Sequence, residues 1–405
     1  MSGAPALDLG DLGLDEGAHL LIKRALAAVA VGAAIDVRGR APTLAVDLPA
    51  WCRAQGHPVV ALARGEVTVA RVERGAASLG RWRGAVRAGG PDPTVAGAVV
   101  EAPPARWGLA ARGAMVEAGA PALDFPLAAK QVVWTDDAPR LYAHAAAAQW
   151  DPATAIAWPA AGTAPAHPAE VEAAVVQVMT YLIENETAAL IVPARFLGRI
   201  HPHFREVVQV LAVQVADEAR HLEVFHRRAA LHGGELGLST AGGQASLATL
   251  LDEPDFAIAG FLLSVLGEGS FLDLLWFVRD HAPDPVTAQI ARLAAQDEAR
   301  HVAFGLAHLG RHAALEPTLR SRLAAAVERR HAALAHTAGL NDEVFDALVV
   351  LAAGGWDPAA LRRGHAAVVA LTAAMDAGRR QRLHRLGFTA GEAAALSSLH
   401  TRNFM

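Results

Sequence analysis

From Pro168 onward, apolar positions recur at steps of three and four residues, and this period predicts two pairs of long helices. The first pair spans about 168–198 and 204–231, parted by Gly198–Pro202; the second spans about 254–281 and 285–312, parted by Pro283 and Pro285. Such short joints make each pair an antiparallel hairpin. Between the hairpins, His232 to Asp252 is rich in Gly and Ser and long enough to travel the length of a bundle, so a crossover connection is expected. Further helices follow at about 316–337, 342–353 and 357–384, ahead of the tail Leu399 to Met405.

The N-terminal pattern is different. Leu20, Leu21, Ala25, Leu26 and Val29 share one helix face, Ala34 to Val37 reads as a strand, and a helix at Ala45–Gln55 is closed by Gly56. Val67 to Val69 and Ala98 to Val100 are strand candidates among many Gly and Pro residues, and Trp150 to Pro165 reads as a linker. The fold class is therefore mainly α, a four-helix bundle with extra C-terminal helices, preceded by a small α/β domain. We divide the chain into 1–65, a poorly defined 66–167, the bundle 168–312 and a helical extension 313–405.

The bundle segment repeats itself. Asp217-Glu218-Ala219-Arg220-His221 recurs letter for letter as Asp297-Glu298-Ala299-Arg300-His301, each copy on the second helix of its hairpin. A Glu and a His three residues apart lie on one helical face, about 5–6 Å apart at Cβ, and can converge on one metal ion. On the third helix, Glu268 lies on the apolar stripe with Phe261, Val265, Leu272 and Trp276; on the first, Glu186 lies with Val175, Met179, Leu182 and Leu190. Glu184 is the alternative to Glu186, but it shares a polar face with Gln177, Thr180 and Thr187. The separations from Glu186 to Glu218 and from Glu268 to Glu298 differ by only two residues, as matched hairpins require.

The expected metal ligands are thus Glu186, Glu218, His221, Glu268, Glu298 and His301. Four buried carboxylates are very costly unless cations neutralise them, and a carboxylate and imidazole set suits iron or manganese. Asp217 and Asp297 are expected to accept the free N–H of a ligand histidine. Arg220 and Arg300 are expected in salt bridges at the bundle ends, and His201, His203 and His226 as solvated histidines.

Composition narrows the function further. The net charge is −5 and the arginines are scattered among acids, so no nucleic-acid partner is expected. Cys52 is the one cysteine, which excludes an internal disulfide and a cysteine-ligated iron–sulfur cluster. The apolar stretch Ala25 to Ile35 is too short to span a bilayer and acids precede it, so no membrane partner is expected and the chain should be cytoplasmic. A homodimer is compatible with the sequence. No glycine motif for a flavin or dinucleotide is present, so electrons would come from an external donor, a redox partner protein.

With these residues, segment 168–312 resembles the ferritin-like di-iron carboxylate superfamily, in which each hairpin supplies one lone Glu and one E-x-x-H. The resemblance implies two Fe ions, or Mn with Fe, with O2 as co-substrate. It implies either oxidation of a small organic substrate or, alternatively, iron oxidation or metal handling in stress without one. Phe225 stands where ribonucleotide reductase small subunits carry a radical tyrosine. Gln214 and Ala294 stand where p-aminobenzoate N-oxygenases add a histidine. Residues 7–60 resemble the TusA-like sulfur carriers in Arg24 to Gly32 and Asp47 to His57. Their Cys-Pro-x-Pro corresponds here to Asp15-Glu16-Gly17-Ala18, which implies a docking or regulatory module without sulfur transfer.

Overall fold

The computed structural model describes residues 4–77, 81–160, 162–335 and 342–400. The last five residues of the tail singled out above lie outside them. The chain divides into two compact units, Met1–Arg87 with Ala114–Pro121, and Ala88–Gly113 with Ala122–Met405.

In the first unit the order is β1 (Ala6–Asp8), α1 (Ala18–Ala27), β2 (Ala34–Gly39), α2 (Leu44–Gln55), β3 (Val59–Ala63) and β4 (Thr68–Glu73). The sheet runs β1-β2-β4-β3, with β1 parallel to β2 and the other neighbours antiparallel. Alternation decides which face is buried. Ile35 and Val37 of β2 and Ala70 and Val72 of β4 pack on Ile22, Leu26, Leu44, Leu48 and Cys52 of the helices. Between them Asp36 and Arg71 point the other way and pair at 2.7 Å. Burial pushes the Cys52 thiol up to about 12, so it is an inert core thiol.

The expected end of this unit at residue 65 is corrected by the sheet itself, because Thr68–Glu73 is one of its two interior strands. A two-stranded piece, β5 (Val86–Arg87) and β6 (Met115–Val116), also belongs to this unit. Ala98 to Val100, expected as a strand, forms none; the Val100 amide is bonded instead to a histidine ring.

The second unit contains α3 (Lys130–Val133), α4 (Ala138–Ala147), α5 (Ala169–Leu197), α6 (Arg205–Ala229), α7 (Ala241–Leu251), α8 (Phe256–Asp280), α9 (Pro285–Leu315), α10 (Leu319–Leu334), α11 (Asp342–Ala353), α12 (Pro358–Arg385) and α13 (Ala390–Ser398). Helices α5, α6, α8 and α9 are the two hairpins, each ending within a few residues of the boundaries that Gly and Pro predict. Asp255 accepts from the amides of Ala257 and Ile258 to start α8, and Asp284 accepts from Thr287 with Pro285 at the first helical position of α9. The crossover contains the helix α7. No domain boundary falls at 150–165, because Val133, Trp134, Leu141 and Ile156 share the bundle's core. Helix α11 packs on α5 and α12 on α8, so the C-terminal extension covers the bundle.

Helices α5 and α8 are long and apolar enough, by length and composition, to cross a bilayer, which the N-terminal reading did not anticipate. Of their most apolar windows, 67% and 83% of the residues are buried inside the protein. Helices enclosed on most sides by neighbours read as apolar all round.

Candidate metal centre

All six expected side chains meet in the bundle core, each at most 4% exposed. They form two overlapping quartets, Glu186, Glu218, His221 and Glu298, and Glu218, Glu268, Glu298 and His301. Within each quartet the potential ligand atoms lie within 4.8 Å of one another. Glu218 and Glu298 belong to both. Glu184 lies outside the cluster, where its carboxylate takes the Gln244 amide at 3.3 Å.

The histidines present Nδ1 to the carboxylates. His221 Nδ1 is 3.1 Å from Glu218 and 3.5 Å from Glu186, and His301 Nδ1 is 3.1 Å from Glu218 and 3.3 Å from Glu298. Each Nε2 meets the aspartate of the other repeat, His221 with Asp297 and His301 with Asp217, both at 3.1 Å. A carboxylate only accepts, so Nε2 carries the proton and Nδ1 faces the cluster.

Arg220 and Arg300 are not at the bundle ends as expected. Arg220 donates to Asp217, and Arg300 to Asp297, three residues back along the same helix, because the DEARH spacing puts each pair on adjacent turns. His201 and His203 are likewise buried: His203 Nε2 accepts the Val100 amide at 3.0 Å, and burial with nearby Arg112 lowers its pKa to about 4. His226 is exposed as expected.

The electrostatics ask for cations. Burial, then the adjacent Glu218 carboxylate, push Glu186 up to about 8, and burial with Glu298 raises Glu268 well above its usual range. Burial opposes charge on His221 and His301, but the surrounding carboxylates outweigh it and raise both well above 6.5. Glu186 Oε1, Glu218 Oε1, Glu268 Oε2, Glu298 Oε2 and His301 Nδ1 are buried with no hydrogen-bond partner among the described residues. Four orphaned carboxylate oxygens and an imidazole nitrogen, gathered in one place, fit a pair of metal ions.

No family model matches the chain, and no curated protein matches it. The resemblance of the N-terminal unit to sulfur carriers therefore has no match of either kind behind it. Among solved structures, a variant R2-like ligand-binding oxidase with an aerobically reconstituted Mn/Fe cofactor is 18% identical, with a TM-score of 0.46, covering 65% of this chain and 94% of that one. An R2-like ligand-binding oxidase from Sulfolobus acidocaldarius is 16% identical, with a TM-score of 0.41, covering 64% and 94%. The functional reading below rests on the six side chains, not on these likenesses.

Three further residues around the cluster are not among the expected site residues. Gln149 Nε2 donates to Asp217 at 2.9 Å and Trp150 Nε1 to Asp297 at 2.8 Å, so the stretch that reads as a linker begins against the site. Gln214 Nε2 donates to Glu268 at 2.8 Å. Of these only Gln214 could have been found, since it lies one turn before Glu218 on the same face. Two small cavities, sharing Leu263, adjoin the cluster. One of about 20 Å³ touches Glu186, Glu268 and Glu298. The other, about 30 Å³, runs past Gln214, Phe256, Phe304 and His308.

Proposed function

We propose that the bundle holds two transition-metal ions, iron at both positions or manganese with iron, and uses them with O2 to oxidise a small organic substrate. The observation that carries this reading is the pair of quartets sharing Glu218 and Glu298. Glu186 and His221 would hold one ion and Glu268 and His301 the other, with Glu218 and Glu298 within reach of both. Such a pair supplies electrons and Lewis acidity for reducing O2. The chain's own part is to fix ligand orientation through Asp217, Asp297 and Gln214 and to keep bulk water out of a core lined by Leu263, Phe271 and Ala189. We place the protein in the cytoplasm with an external electron donor, and read the first unit as a docking or regulatory module.

Metal analysis should find close to two ions per wild-type chain and far fewer in Glu218→Ala; equal content in both would sink the proposal. Anaerobic loading with Fe(II) followed by O2 should give a transient absorbing species whose decay responds to the right substrate. A second reading, iron oxidation with no organic substrate, is favoured by the small cavity at the cluster, which admits a water-sized molecule and nothing larger without movement. Continued turnover of added Fe(II) to a mineral product would select it.

A further inference from the structure

Helix α8 reaches the cluster through an irregular piece of backbone. From Phe261 to Glu268 it is π-helical, while the residues before and after are α-helical. Glu268 is the last residue of the widened stretch. Where an i→i+5 ladder reverts to i→i+4, one carbonyl is passed over by the amides that follow and needs another donor. The Val265 carbonyl, in the final π turn, receives the Nε–H of Arg382 at 2.7 Å.

Arg382 comes from α12, in the C-terminal extension, and is 9% exposed. Its Nη2 lies 3.5 Å from Ser270 Oγ, which Arg379 Nη1 also approaches at 3.3 Å. Gly269, the residue after Glu268, makes the room: a Cβ there would fall on Nε and Cζ of Arg382. The guanidinium is thus keyed into a notch in the helix immediately beside a candidate ligand. Helix α5, which carries Glu186, is α-helical throughout and needs no such support.

We propose that Arg382 is a positioning residue for the half-site of Glu268 and His301, holding the Val265 carbonyl and with it the π turn that aims Glu268 at the cluster. The inference rests on the di-metal reading above. Without the guanidinium, the buried Val265 carbonyl loses its charged donor, and α8 is free to revert to α geometry. Losing the extra residue of the π stretch turns Glu268 relative to the start of α8 by roughly 100°. Glu268 then leaves Glu218, Glu298 and His301, while the half-site of Glu186 and His221 keeps its geometry.

The test is titration of Co(II) into metal-free protein, read by calorimetry and by visible absorption per cobalt, with wild type, Arg382→Met, Arg382→Lys, Gly269→Ala and Arg330→Met. Arg330 is also a buried arginine, but it donates to Ser246 and Thr249 of α7 and controls for general loss of packing. Wild type and Arg330→Met should take up two equivalents. Arg382→Met and Gly269→Ala should bind one tightly and the second about 10- to 100-fold more weakly, with Arg382→Lys recovering part of the loss. Should Arg382→Met not fold, Gly269→Ala, which displaces the same guanidinium, decides. Two equivalents bound at wild-type affinity in either variant overturn the role of Arg382 and leave the di-metal reading standing. Wild-type protein taking up no Co(II) brings down both.

Discussion

The two hairpins of the bundle carry the same five residues yet hold their lone glutamates by different means. Glu186 projects from a regular α-helix, while Glu268 sits at the end of a π stretch and is gripped by Gln214 at 2.8 Å. Ala294, the counterpart of Gln214, has no side-chain donor to offer Glu186. The aspartates differ too, Asp217 taking Gln149 and Asp297 taking Trp150. A duplicated segment can therefore set ligand identity and spacing, while asymmetry between the two positions comes from parts of the chain outside the repeat.

The comparison can be broken most severely at the shared carboxylates. Glu218→Ala should abolish binding at both positions, whereas Glu186→Ala should remove one ion of two; metal content per chain separates these outcomes. Next in size are the crosswise aspartates. Asp297→Asn should weaken the position of His221, and Asp217→Asn that of His301, by roughly 10- to 100-fold in calorimetric titrations. Weakening of the other position instead would mean that the aspartates act within their own repeat.

Gln214→Leu should have a smaller effect, confined to the Glu268 position, since one typical hydrogen bond contributes about 0.5–1.5 kcal/mol net, roughly 2- to 10-fold in affinity. No change in the affinity of the second metal would show that the π turn alone places Glu268. The smallest effect concerns pH. In metal-free protein Glu186 is raised to about 8 and Glu268 is raised above 4.5, so the folded state keeps protons that the unfolded chain releases. His221 and His301, raised above 6.5, act in the same direction. Their contribution is complete below the unfolded values and lost as pH rises through the folded ones. Below about pH 6.5 the histidines that burial lowers, His203 and His308 among them, contribute the opposite slope, so the metal-free Tm should fall from about pH 6.5 to 8, and loading should remove the decline because metal replaces the protons. Asp217 and Asp297, held low by the histidines against the effect of burial, contribute the opposite slope only near and below pH 3.8. A metal-free Tm that climbs through this window would contradict the assignment of charge.

Much of this arrangement is legible in the sequence. Helix period and proline punctuation place the four bundle helices, and the repeat with its in-phase glutamates nominates the six residues that the core gathers. What escaped depends on long-range contact. Trp150 and Asp297 are far apart in the chain, and a Trp-Asp-Pro stretch among prolines carries the composition of a linker. The π stretch is hidden because Phe261, Val265 and Glu268 fit an α stripe nearly as well. His201 and His203 look solvated in a short Gly- and Pro-flanked joint, and only the chain packed over them, with Val100, Trp107 and Phe125, makes them interior.

The crossing of the aspartates between repeats has a consequence for how the protein matures. Since each imidazole is buttressed from the opposite hairpin, half of the bundle is not half of a site: a hairpin made alone leaves its ring free to rotate and to exchange tautomers. On the di-metal reading, docking of the two halves must then come before loading, and a nascent chain that meets a metal ion early has nothing ordered with which to retain it.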